Sequence, residues 1–251
     1  MKLIVNNLAV EYSDQGEGPI ILFLHGWKDN SRTFDPLIPF LPNFRIIRMD
    51  LPGFDNSETP NTSWDLNAYV NLVKKFITKL NLNVNALVGH SFGGRIVIKG
   101  LATKNIKAEK AVLIGSAGVS KTNTAKNFLF LLTAKIGKIL TLFPPLIFWR
   151  QKIKQKFYNQ IGSDYLDAGT LRNIFLNIVR EDLTAAAKKI TIPTLLIWGD
   201  CDTQTPINDG KKLNHLINNS QLKIINNIGH FPHRENPEKI ADLIKNFISR
   251  S

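Results

Sequence analysis

Short apolar runs recur along the chain, with longer stretches of helical periodicity between them. Ile20–Leu24, Arg45–Met49, Ala86–Val88, Ala111–Ile114 and Thr194–Trp198 read as buried strands, and Leu222–Ile225 as a last one. Strict alternation would indicate a sheet with one face in water. Near-continuous runs instead suit a parallel sheet covered on both faces. Residues 66–80 set Leu66, Tyr69, Val70, Val73, Phe76, Ile77 and Leu80 on one stripe, and 92–103 behaves similarly. In 236–249, Ile240, Leu243, Ile244, Phe247 and Ile248 share a face. Strands alternating with such helices predict an α/β fold built on an open, doubly wound, mostly parallel sheet. Runs at Leu3–Val5 and Leu8–Tyr12 precede the first parallel strand and predict an antiparallel N-terminal edge.

The alternation stops between residues 119 and 190. This segment is helical in pattern and too long for a plain loop, so it reads as an inserted helical cap. The core would then comprise 1–118 and 191–251. The greasiest stretch of the chain, Phe128 to Trp149, lies inside the cap but is broken by Lys135, Lys138 and Pro144-Pro145. It falls short of the roughly 18 uninterrupted apolar residues of a spanning helix.

Composition adds limits. At 251 residues, 43% hydrophobic and 21% charged, the chain can bury a sizeable core in one domain, and a disordered class is excluded. Its single cysteine, Cys201, allows no internal disulfide, which fits a reducing compartment and a cytoplasmic location. Met1–Asn7 has one positive charge followed by three apolar residues, against the roughly 7–15 apolar residues of a signal peptide, so it reads as a strand. The formal charge of +12 is uneven: residues 119–190 hold 12 Lys or Arg against 4 Asp or Glu, or +8 of the total. A tract such as Arg150–Lys156 can bind phosphate or anionic lipid, but a solvated helix face is the preferred reading. No nucleic-acid-binding signature accompanies it.

Four motifs carry chemistry. Gly89-His90-Ser91-Phe92-Gly93 follows a strand and opens a helix, the context in which a serine sits exposed on a strained turn as a nucleophile. Side chains at Gly89 and Gly93 would clash there. His25-Gly26-Trp27 follows the Ile20–Leu24 strand, where the backbone N–H of Trp27, paired with that of Phe92, can hold an oxyanion. His25 is expected to shape this loop by hydrogen bonding. Gly199–Pro206 places Asp200 and Asp202 after a strand; Asp202 is preferred as the orienting acid and Asp200 as a turn residue. Acids flanking Cys201 should raise its pKa and argue against a nucleophilic thiol. Finally, Gly229–Pro237 offers His230 and His233. His230 is preferred as the base because Gly229 permits close approach, leaving His233 structural with Glu235 as its partner. The chain order Ser91, Asp202, His230 is that expected for this fold.

With these motifs the chain resembles the α/β-hydrolase superfamily, in its small single-domain branch of esterases, cofactor-free haloperoxidases, carbon–carbon bond hydrolases and proline iminopeptidases. The resemblance spans nearly the whole chain and takes in Asp50–Ser57, similar to the family's loop after its fourth strand, where Asp50 and Gly53 would be structural. The cap is the least matched part. Relatives that attack alkyl carbon carry aspartate at the nucleophile position. Serine there implies acyl transfer to water through an acyl-enzyme. The implied partner is a small acyl substrate, with an apolar acyl part suggested by the cap composition. No cofactor, metal or nucleic acid is implied. A ligand receptor on the same fold with little turnover, a carbon–carbon bond hydrolase, and an esterase whose cap touches membrane stay open as alternatives.

Overall fold

The computed structural model describes residues 1–119 and 171–249. The expected cap, with its apolar run 128–149 and basic tract 150–156, lies mostly outside the described residues. The chain divides into two compact units, Met1–Val119 with Asn177–Ser251, and Ser120–Leu176. Residues 177–190, read from the sequence as cap, thus belong with the first unit.

Eight strands form one sheet: β1 (Lys2–Val5), β2 (Leu8–Gln15), β3 (Ile20–Leu24), β4 (Arg45–Met49), β5 (Val84–His90), β6 (Lys110–Ile114), β7 (Thr194–Gly199) and β8 (Ser220–Ile225). Their order is β1-β2-β4-β3-β5-β6-β7-β8. β1 and β2 pair antiparallel, as do β2 and β4, and every other pairing is parallel. The apolar runs become strands because they are buried on both faces: Ile21 to Leu24, Leu87, Val88 and Leu195 to Trp198 are all at most 1% exposed.

A ten-residue 3₁₀ helix (Ser31–Phe40) follows β3, capped by the Asn30 side chain, which accepts from Arg32 N at 3.0 Å. Then come α1 (Leu66–Lys79), α2 (Phe92–Ala102), α3 (Arg172–Arg180), α4 (Thr184–Ala187), α5 (Ile207–Leu216), α6 (Pro232–Glu235) and α7 (Pro237–Ser249). Asp65 caps α1, its carboxylate accepting from Ala68 N at 2.9 Å. One core packs Ile21 and Phe23 of β3 with Phe34 and Leu37 of the 3₁₀ helix and Ile240 and Ile244 of α7. Side chains alternate across a strand, so Leu22 and Leu24 face the opposite core.

Parallel register sets the site. Leu24 pairs with Gly89, and His90 with Ile114, so the loops after β3, β5 and β6 leave the sheet at one level. The long excursion from β6 to its neighbour β7 is tied where it departs and returns: Leu183 N donates to Gly118 O at 2.9 Å. Among the described residues no helix is long and apolar enough to cross a membrane.

Candidate active site

The turn from β5 into α2 holds Ser91 at φ 47° and ψ −105°, a region that residues other than glycine rarely enter. The strain is held from both sides. Ser91 N donates to Ile114 O at 3.0 Å, and Gly93 N donates to His25 O at 3.0 Å. A Cβ at Gly93 would lie 2.0 Å from Leu24 O, and one at Gly89 would lie 2.6 Å from Gly93 C and Gly94 N. The tight strand-to-helix crossing therefore requires glycine at both places. α2 begins at Phe92, so the positive end of its dipole points at this turn.

Asp202 and His230 meet at the ends of β7 and β8. His230 Nδ1 lies 2.7 Å from Asp202 Oδ2, and both side chains are buried. The carboxylate is saturated: Oδ1 accepts from Gln204 N and Thr205 N, each at 2.9 Å, and Oδ2 from the Thr205 hydroxyl at 2.8 Å. Burial alone would push the Asp202 carboxyl up. Its hydrogen bond and charge interaction with His230, with the Thr205 bonds, outweigh that and leave it below the usual range. An ionised carboxylate only accepts, so the shared proton sits on His230 Nδ1 and the lone pair on Nε2. The His230 carbonyl accepts from His90 Nε2–H at 2.9 Å, and the two rings lie 4.8 Å apart. The structure thus brings Asp202 and His230 into contact and sets His230 beside the residue preceding Ser91.

His25 shapes its loop. Its Nε2 accepts from Leu51 N at 2.8 Å, which places the proton on Nδ1, 2.7 Å from Gly26 O. Burial lowers its pKa, consistent with a neutral ring. Trp27 follows, its ring 5.5 Å from that of Phe92 and 4.9 Å from that of Phe54. Asp200 stands apart from the pair and is exposed, its Oδ1 accepting from Ile228 N at 3.4 Å. Its bond with Cys201 lowers the acid and raises the exposed thiol.

Two details of the base loop differ from the sequence reading. Glu235 does not partner His233: its carboxylate accepts from Gly229 N at 3.0 Å and Phe231 N at 3.3 Å, on either side of His230. His233 Nε2 lies 2.9 Å from Thr33 Oγ1 instead. The close approach is also carried by another glycine. A Cβ at Gly199 would lie 2.1 Å from Ile228 O, whereas one at Gly229 would meet only Glu235 Oε1 at 3.2 Å. Thr205 went unassigned in the sequence, and Glu235 was assigned only to His233. An Asp followed three residues on by Thr is a turn signal that could have found the first.

Residues 21–243 match the model of the Alpha/beta hydrolase family. AB hydrolase superfamily protein YisY of Bacillus subtilis is 30% identical over 249 residues, covering 93% of each chain. The 2-hydroxy-6-oxononadienedioate/2-hydroxy-6-oxononatrienedioate hydrolase 1 of Pseudomonas putida is 27% identical, covering 97% of this chain and 93% of that one. Among solved structures, the esterase EaEST from Exiguobacterium antarcticum superposes with a TM-score of 0.76 at 23% identity, over 99% of both chains. The chain belongs to the alpha/beta hydrolase family.

Proposed function

We propose that this chain is a serine hydrolase that cleaves an ester or related acyl bond through an acyl-enzyme. Ser91 Oγ attacks the carbonyl as His230 Nε2 takes its proton. The backbone N–H groups of Trp27 and Phe92 hold the oxyanion. His230 then protonates the leaving group and activates the water that releases the acyl group, while Asp202 fixes the tautomer and stabilises the imidazolium. The observation that carries this reading is the buried 2.7 Å contact of His230 with Asp202, next to a strained turn bearing serine. No step requires a cofactor. Within the segment 119–190 read as cap, residues 120–176 are proposed as the cap, their apolar side chains favouring a mostly apolar acyl group.

The test is fluorophosphonate labelling with p-nitrophenyl acetate turnover. Ser91→Ala should abolish both while the far-ultraviolet circular dichroism spectrum stays that of the parent. Unchanged turnover would remove Ser91 from the reaction, and an unlabelled, inactive parent protein would favour a binding role on the same fold. A second reading, hydrolysis of a carbon–carbon bond in a ring-cleavage product, rests on the Pseudomonas putida relative and uses the same three residues. Comparing such a substrate with simple esters separates the two.

A further inference from the structure

Three side chains outside the proposed triad converge on one point. Asp29 lies in the loop after β3, His90 at the end of β5, and His233 in α6. Their ligating atoms all lie within 4.8 Å of one another. Asp29 Oδ2, His90 Nδ1 and His233 Nδ1 are each buried, and none has a hydrogen-bond partner. His90 and His233 are at most 1% exposed, and the Asp29 side chain 10%. A buried polar atom with nothing to bond costs about 1–3 kcal/mol, so three such atoms on residues clustered this closely call for a common occupant.

The surrounding bonds say what that occupant must be. His90 Nε2–H donates to a carbonyl, which can only accept, so Nδ1 presents a lone pair. Asp29 Oδ2 is an acceptor. Thr33 Oγ1 accepts from Arg234 Nε–H at 2.7 Å and keeps a second lone pair for the Nε2–H of His233; in the tautomer that uses it, His233 Nδ1 presents a lone pair too. Burial holds both imidazoles neutral, with His90 lowered to about 3 and His233 well below its usual value. Two neutral imidazole nitrogens and one carboxylate oxygen form a donor set suited to zinc-type ions. Arg234 pairs with Asp29 through Oδ1, and Asn30 N donates to that same oxygen, so Oδ2 is left without a bond and available as a ligand. A Cβ at Gly26 would lie 2.9 Å from His90 Nδ1, so glycine there keeps the approach to this nitrogen open.

We propose that Asp29, His90 and His233 form a structural site for one divalent transition-metal ion of the zinc type. Such an ion would clamp the loop after β3, the turn bearing Ser91 and the loop bearing His230. Tetrahedral zinc sets N and O ligands roughly 3.3 Å apart. Binding therefore draws one ligand atom of each residue inward from the 4.8 Å limit by side-chain rotation.

The full-length chain, stripped with a chelator and titrated with zinc chloride, tests this. One zinc per chain should survive desalting, and Tm should rise by roughly 5–10 °C at a hundredfold excess over Kd. Cobalt should bind at the same stoichiometry and give visible absorption bands. Asp29→Asn, which keeps the side-chain shape, and His233→Ala should each weaken zinc binding by about tenfold or more. Cys201→Ser should leave it unchanged. A stripped protein that neither retains zinc nor gains stability overturns the site in favour of a buried water. Zinc retention undiminished by Asp29→Asn, or lost with Cys201→Ser, overturns it as well. Asp29→Asn carries the test even where His233→Ala does not fold.

Discussion

Replacing Asp202 by asparagine changes almost no volume and yet should disable the proposed site. The carboxylate accepts four hydrogen bonds, two backbone N–H groups on Oδ1 and the Thr205 hydroxyl and His230 Nδ1 on Oδ2. An amide has one accepting oxygen and one donating nitrogen. The oxygen will face the two backbone N–H groups, because an N–H cannot turn its proton elsewhere. The amide nitrogen then faces His230 Nδ1 and donates to it, so the imidazole carries its proton on Nε2 and cannot accept that of Ser91. Loss of the tautomer in a triad costs about 10⁴-fold in kcat, or about 5 kcal/mol of transition-state stabilisation. Steady-state hydrolysis of p-nitrophenyl acetate, with urea unfolding to confirm a folded variant, measures this. Asp200→Asn, at an exposed residue apart from the pair, should stay within about threefold of the parent. A folded Asp202→Asn variant retaining a tenth or more of parental kcat, or a larger loss at Asp200, would refute the tautomer reasoning.

Other perturbations have equally definite outcomes. Glu235→Ala frees the N–H groups flanking His230 and should lower kcat with little change in KM, costing about 1 kcal/mol of stability because the bonds are exposed; an unaltered kcat would remove its positioning role. Gly93→Ala drives a methyl to within 2.0 Å of Leu24 O and should destabilise by about 3 kcal/mol, read from the urea midpoint. Stability should also fall on acidification. A buried histidine whose folded pKa lies below its unfolded 6.5 takes up a proton on unfolding, so stability is complete above that value and is lost as pH falls toward the folded pKa. For His90, lowered to about 3, this amounts to about 2 kcal/mol between pH 6.5 and 5, with His25 and His233 acting in the same direction. Equal urea midpoints at pH 7 and pH 5 in metal-free protein would contradict it.

The sheet was legible because a strand buried on both faces needs apolar residues at nearly every position. Ile20–Leu24 and Arg45–Met49 form with the bounds their composition implies. The 3₁₀ helix was not legible, since Pro36 and Pro39 break the pattern of a regular helix. α5 was hidden by its shortness and by Gly210, which is there to pack on Trp198: a Cβ would lie 2.8 Å from the indole. That Asp202 and His230 would meet was legible because each sits at a strand end in a loop with few rivals. The partners that position them could not. Glu235 sits two residues from His233, and proximity in sequence suggested a pairing that the backbone N–H groups of Gly229 and Phe231 take instead. The trio Asp29, His90 and His233 spans over 200 positions; the neighbouring places of β3 and β5 in the sheet bring the first two together, and the contact of His233 with Thr33 of the 3₁₀ helix brings in the third.

The bond from Leu183 N to Gly118 O has a consequence for how this chain can change. It fastens the excursion at its neck, between strands that are already neighbours, so the sheet is indifferent to how much chain lies beyond. Doubling a closed loop costs only about 0.6 kcal/mol in entropy. Segments of very different length and composition can therefore be exchanged past that neck without shifting the register of β6 against β7. On the proposed function, such a chain can acquire a new substrate by replacing a module, while the proposed triad is inherited unaltered.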